Sequence, residues 1–314
     1  MDRVARVIAG DARALASLLR DLDDGLAAAR VDLRAMYGRT GQAQIIGVTG
    51  NPGVGKSTLV DGLISRYRAR GLRVGVVAVD PSSPFTGGAL LGDRIRMQRH
   101  ATDDGVFIRS LATRGQVGGL SRSTVDVAAA LDAAGFGVVL IETVGVGQDE
   151  TDIVSAADAV VVVTAPGLGD DVQALKAGIL EIADVLVVNK GDREGADRSL
   201  KDLTVMLQLA QPVRTPPVTL LRAVATTGEG VDELIAALDQ RRTLPDAVRA
   251  ARRRQQARAQ LTAIVVELQR RALHAALGSA EAPGALAHLV DEIAARRLDP
   301  HSAAEAVLSA GIFR

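Results

Sequence analysis

The chain contains no cysteine. That excludes disulfides, thiolate metal sites and cysteine nucleophiles together. Tryptophan is also absent, and aromatic residues make up only 2% of the 314 residues. The core must therefore be built from Leu, Val, Ile and Ala. Charge of one sign is missing as well: 37 Lys and Arg balance 37 Asp and Glu. Nothing global then draws the chain to nucleic acid or to an anionic membrane, and neither is expected as a partner. No apolar run approaches the ~18 residues that a membrane-spanning helix needs. The opening MDRVARVIAGDARALASLLRDL mixes acids with bases and has no apolar stretch of the signal-peptide kind, so a cytoplasmic protein is expected.

What is present reads as a soluble globular chain, with 47% hydrophobic and 24% charged residues, long enough for a large core. Val4, Val7, Leu15, Leu18, Leu19 and Leu26 recur at helical spacing near the N-terminus. From residue 44 short β-branched runs alternate with helical patterns. QIIGVTG precedes a helix expected over about Lys56 to Arg70, and LRVGVVAVD, FGVVLIET, AVVVVTAPG, DVLVVNKGD and PPVTLLRAVA follow. Fully apolar strands of this kind imply a mostly parallel sheet covered on both faces.

After about Leu244 the strand signals stop. Leu261, Ile264, Val265, Leu268 and Ala272 fall on one helical stripe, a second helix fits Ala285 to Arg296, and a third starts with Ser302 as its expected N-cap. The fold class is α/β, a P-loop NTPase core with helical extensions at both ends. The expected divisions are an N-terminal helical extension over 1–43, the core over 44–243 and a C-terminal helical arm over 244–314. Arg252 to Arg254 with Arg258 reads as a solvated helix face, with a site for CoA phosphate or an acidic partner as the alternative.

GNPGVGKS, Gly50 to Ser57, satisfies G-x-x-x-x-G-K-[ST] and lies between an apolar strand and a helix, as that motif requires. Backbone N–H groups of Gly50, Asn51, Gly53, Val54 and Gly55 would turn toward phosphate oxygens, with Pro52 shaping the loop without a donor of its own, aided by the helix N-terminus at Lys56, Ser57 and Thr58. Lys56 would reach the β- and γ-phosphates, and the Ser57 hydroxyl would ligate Mg2+. NKGD, Asn189, Lys190, Gly191 and Asp192, ends another apolar strand. Asp192 can accept from N1–H and the 2-amino group of guanine; adenine offers no donor at either place, so GTP and GDP are favoured over adenine nucleotides. Asp80 ends a strand and Asp93 lies further along; both are candidate oxygen ligands for Mg2+, although Asp93 fits a helix cap equally well. Arg94, Arg96 and Arg99 read as an exposed helix face.

Where nucleotide switches usually carry Asp-x-x-Gly, this chain has Glu142-Thr143-Val144-Gly145. The blocks TGNPGVGKSTL, VAVDPSSPFTGGALLGDRIRM, FIRSLATRGQVGGLSR, IETVGVGQDE, APGLGDDVQALKAGILEIADVLVVNKGD and TGEGVDEL are similar to those of the methylmalonyl-CoA mutase-associated GTPases. These are the MeaB type within the SIMIBI class of P-loop G proteins, formerly described as arginine/ornithine transport ATPases or kinases. In that family Glu-Thr-Val-Gly is the normal turn, and the resemblance implies a Mg2+ shell of Ser57, Asp80, Asp93 and Glu142. It also implies a base contact through the backbone N–H of Ala225. Val224 stands where the family has serine, and Asp149 follows Gln148 where the family has Gln-Ser-Glu.

Lys56 and the metal would neutralise charge, with Glu142 holding the metal and Gln148 as the candidate for orienting water. Arg114 is a stabilising or partner-contacting arginine. Gly167 to Lys176 resembles the family's additional switch loop, although Asp170, Asp171 and Lys176 also fit a solvated helix start.

The resemblance further implies slow turnover stimulated by a partner, an adenosylcobalamin-dependent acyl-CoA mutase. It implies cofactor delivery from an adenosyltransferase and a homodimer built by the C-terminal arm, whose stripe otherwise packs on its own core. No Asp-x-His-x-x-Gly motif is present, so the corrinoid belongs on the partner. Methylmalonyl-CoA mutase is the first candidate, and isobutyryl-CoA and ethylmalonyl-CoA mutases use related helpers. Competing readings are a nickel-insertion GTPase, disfavoured because His100, His274, His288 and His301 lack ligand spacing; a small-molecule or transport-protein kinase or ATPase, disfavoured by NKGD; and a nucleotide-binding subunit without turnover.

Overall fold

A computed structural model describes residues 2–80, 98–100, 102–112, 122–143, 152–167, 181–209, 216–278 and 284–309. Elements are labelled in chain order among these residues. A seven-stranded sheet has the order β3-β2-β4-β1-β5-β6-β7. Its strands are β1 (Gln44–Thr49), β2 (Val74–Asp80), β3 (Val106–Ala112), β4 (Val138–Glu142), β5 (Ala159–Thr164), β6 (Val185–Val188) and β7 (Thr219–Arg222), and all six neighbouring pairs are parallel.

Alternate side chains on each strand go to opposite faces. Ile46, Val48, Val74, Val76, Val138, Leu140, Val161, Val163, Val185 and Val187 form one core with helices α4 (Lys56–Ala69) and α7 (Val231–Arg242). Val77, Val79, Val139, Ile141, Val160, Val162, Leu186 and Val188 form the other. That face is covered by α2 (Ala12–Asp23), α3 (Ala27–Met36), α5 (Arg122–Ala133) and α6 (Ala196–Leu209). Burial on both sides is why these strands read as unbroken valine and isoleucine runs.

The chain divides into two compact units, Met1–Arg252 and Arg253–Arg314. The first contains the N-terminal helices as well as the sheet. Leu15, Leu18, Leu19 and Leu22 of α2 are buried, and Asp11 caps that helix by accepting from Arg13 N and Ala14 N at 2.9 and 3.0 Å. Arg3 of α1 (Arg3–Ile8) binds both Asp21 and Asp32. Buried Asp132 accepts from the backbone of Gly41, Gln42 and Ala43, fastening the entry to β1 against α5. The long helix α8 (Asp246–Gly278) begins in this unit. The second unit holds the rest of α8, with α9 (Gly284–Ala294) and α10 (Pro300–Ser309), which pack on each other. Among the described residues no helix is long and apolar enough to cross a membrane.

Four local expectations change. Strand β3 is not evident in the sequence, because Arg109 and Ser110 interrupt its apolar pattern; it is an edge strand, half-buried through most of its length. The cap of α10 is Asp299, not Ser302: its Oδ1 accepts from His301 N and Ser302 N, both at 3.0 Å. Arg252 is not on a solvated face. It binds Asp184, which is 2% exposed, at 2.9 Å and donates to Ala157 O at 3.2 Å, whereas Arg253, Arg254 and Arg258 are exposed. Arg99 lies in a single 3-10 turn, Gln98–His100, and pairs with Asp61 of α4. Arg94 and Arg96 lie outside the described residues.

Candidate nucleotide-binding site

Strand β1 is the centre of the sheet, with β4 and β5 on either side. The chain leaves β1 toward β2 on one side and crosses from β4 to β5 on the other, so the crevice at the carboxyl ends of these strands lies at a topological switch point. The glycine-rich segment Gly50 to Gly55 occupies it. Val54 is fully buried and pins the loop to the core, while Pro52 and Gly53 are exposed. Gly55, at the N-cap of α4, has φ +96° and no side-chain cap. A side chain there would be strained and would run into the Asn189 amide nitrogen. The N-terminus of α4 thus begins directly at the end of the glycine-rich loop, and a helix N-terminus in such a place suits an anion.

Lys56, 7% exposed, donates from Nζ to Gly50 O at 2.7 Å and to Asn51 O at 3.0 Å, closing the loop over its own ammonium. Ser57 Oγ donates to Glu142 Oε1 at 2.6 Å. Both side chains are buried, one on the first turn of α4 and the other at the end of β4. Glu142 is held there by register: it pairs with Val48 in the sheet, and Thr143 N donates to Val48 O at 3.1 Å. Thr143 Oγ donates to Thr49 Oγ at 2.8 Å beneath the loop. A hydroxyl and a carboxylate converging at a helix N-terminus form an all-oxygen donor pair, which suits Mg2+.

Thr58 is exposed. Asp80 ends β2 opposite Ala112 of β3, with its side chain outside the described residues. Asp93, Arg114, Gln148, Asp149, Asp170, Asp171 and Lys176 also lie outside them. No cluster of three or more His, Cys, Asp or Glu suited to a metal occurs among the described residues.

The NKGD segment joins the same crevice from β6. Asn189, 2% exposed, donates from Nδ2 to Val54 O at 2.8 Å and accepts from Ala225 N at 3.0 Å. One amide therefore ties the phosphate loop to the segment after β7. The Ala225 N–H is engaged by Asn189, a link that spacing along the chain did not reveal. Lys190 has a left-handed φ of 55° and donates to Gly53 O at 2.7 Å. Asp192 is exposed in the turn closed by Arg193 N donating to Lys190 O at 3.0 Å. Val224 is buried, its N–H donating to Glu229 O at 2.9 Å.

The profile of one family, Methylmalonyl Co-A mutase-associated GTPase MeaB, matches residues 12–278. The chain belongs to that family. As a MeaB-family GTPase it is 48% identical over 312 residues to a Pyrococcus horikoshii protein named as a GTPase, covering 97% of this chain and 96% of that one. It is 43% identical over 160 residues to the Escherichia coli GTPase ArgK, covering 51% and 48%. Part of a fused isobutyryl-CoA mutase from Cupriavidus metallidurans is 40% identical over 207 residues, covering 64% of this chain and 19% of that protein. Among solved structures, a LAO/AO transport system kinase superposes with a TM-score of 0.71 at 23% identity, covering 98% of this chain and 95% of that one. That likeness confirms the α/β P-loop fold of this MeaB-family member.

Proposed function

We propose that the chain is a GTP-hydrolysing, metallochaperone-like switch that gates adenosylcobalamin loading of a B12-dependent acyl-CoA mutase and protects and reactivates it. Methylmalonyl-CoA mutase is the first candidate. The observation that carries this reading is the fused isobutyryl-CoA mutase, in which a segment 40% identical to this chain belongs to a mutase polypeptide. The family's name points the same way.

In this reading Lys56 neutralises the β- and γ-phosphates while Asn189, Lys190, Asp192 and the Ala225 segment recognise guanine. Ser57 and Glu142, with Asp80 and Asp93, hold Mg2+, which when bound offsets charge on the transferred phosphoryl group. Gln148 orients water. An adenosyltransferase supplies the cofactor, and the setting is cytoplasmic. The three regions 1–43, 44–243 and 244–314 act as helical cover, GTPase core and dimerising arm. Exposed Leu261, Val265, Val266 and Leu268 on α8 support a homodimer, since an apolar stripe of that length gains from burial.

The test is steady-state GTP hydrolysis by the purified chain, with and without a cobalamin-dependent acyl-CoA mutase from the same organism. Slow hydrolysis that rises at least about tenfold, roughly 1.4 kcal/mol of barrier, is expected with the mutase. Hydrolysis that no such mutase changes overturns the partner; absence of GTP hydrolysis in either case overturns the switch.

A further inference from the structure

If Asp192 reads guanine, as the proposed function holds, the peptide that carries it must be fixed. A carboxylate that accepts two hydrogen bonds from one base edge tolerates little displacement. The preceding residue, Gly191, is gripped from both sides by the end of β7. Its N–H donates to Ala223 O at 2.9 Å, and its carbonyl accepts from Arg222 Nη2. Arg222 Nη1 in turn donates to Asp197 Oδ1 at 3.0 Å on the first turn of α6. The contact depends on residue 191 having no side chain, because a Cβ there would stand 2.6 Å from Arg222 Cγ and 2.7 Å from its Nε. Arg222 lies outside NKGD in the sequence, and only the parallel pairing of Val188 with Arg222 brings it alongside.

We propose that Arg222 is a positioning residue for base recognition, clamping the Gly191 peptide so that Asp192 is presented to guanine. The guanidinium suits this role because its planar fork bonds the carbonyl and Asp197 at once, which an ammonium cannot do with the same geometry.

The test measures affinities for GDP, IDP and ADP by competition against a fluorescent GDP, together with kcat at saturating GTP. IDP lacks the 2-amino group, so the preference for GDP over IDP reports how well the Asp192 carboxylate is placed. Arg222→Met is expected to weaken GDP by about tenfold and to lose most of the preference over IDP, with kcat unchanged within about twofold. Arg222→Lys recovers part of the preference. Gly191→Ala moves the same way in the native background and has a smaller effect in Arg222→Ala, because the two shortest contacts of its Cβ are with Arg222 and only the 3.1 Å approach to Ala223 O remains. If Arg222→Met folds poorly, Arg222→Lys and Gly191→Ala in the native background decide the matter, both lowering the GDP-over-IDP preference if the clamp holds and leaving it unchanged if it does not.

An unchanged GDP-over-IDP preference in Arg222→Met, or a Gly191→Ala effect that persists in full without Arg222, overturns the clamp. Asp192→Asn is run beside them with xanthosine diphosphate. A shift toward xanthosine keeps the base reading whatever Arg222 does; no shift removes both that reading and the clamp built on it.

Discussion

Ser57 Oγ lies 2.6 Å from Glu142 Oε1, joining the first turn of the helix after the phosphate loop to the end of the neighbouring strand. On the proposed function, this contact is where a glutamate would take the place of the aspartate that nucleotide switches usually carry. The glutamate's extra methylene lets the carboxylate reach from the strand end to the serine hydroxyl in a buried, all-oxygen setting. Glu142→Ala is expected to lower kcat for GTP hydrolysis by about 10²-fold and to raise the Mg2+ concentration needed for half-maximal rate. Glu142→Asp should fall between the two. Phosphate release across a Mg2+ series checks this, and an alanine variant with native Mg2+ dependence would contradict it.

Asn189 makes two buried links, to Val54 O and Ala225 N, across the site. Asn189→Ala leaves both groups without that partner and should cost about 1–3 kcal/mol of stability, along with weaker nucleotide binding. Chemical unfolding with and without GDP separates the two effects. If only stability changes, the amide does not organise the phosphate loop.

Leu18, fully buried on α2, belongs to the same core as Val139, Val160 and Leu186 of the sheet. Leu18→Ala should destabilise the first unit by about 2–5 kcal/mol and shift its whole unfolding transition. A separate early transition with an unmoved main one would show the N-terminal helices to be an independent appendage.

Asp103 binds Arg68 at 2.9 Å and accepts from Gly105 N at 2.8 Å. The arginine hydrogen bond, followed by the backbone one, holds its carboxyl below the usual aspartate range. A depressed folded-state value favours the ionised form, so this stabilisation is complete above the unfolded-state pKa and is lost as pH falls through the folded one. Asp103→Asn should lower stability at neutral pH and flatten the loss on acidification. Unfolding curves from neutral pH into the acid range test it; parallel acid profiles for the variant and the native protein would refute it.

Much of the site was legible along the chain because its chemistry is local. A phosphate loop needs glycines, a lysine and a hydroxyl at set spacing, and a strand before it and a helix after it show in the same twenty-odd residues. Other features had a signal that was outweighed. Pro300 at the first helical position marks Asp299 as the cap of α10, and the downstream serine competed with it. For β3, edge placement allows Arg109 and Ser110 to be only half-buried, which removes the apolar run by which the other strands are recognised.

The sequence by itself determined the α/β class, the family, the phosphate loop and the NKGD segment, since each depends on residues close together in the chain and on backbone geometry those residues favour. Only the tertiary structure decided which distant groups meet: Ser57 with Glu142, Asn189 with both Val54 and Ala225, Arg222 with Gly191, Arg252 with Asp184. Those pairings follow from the order in which parallel strands lie beside one another. That order is set by how helices of the right length cover two apolar faces, a property of the whole packed sheet that no single stretch of chain contains.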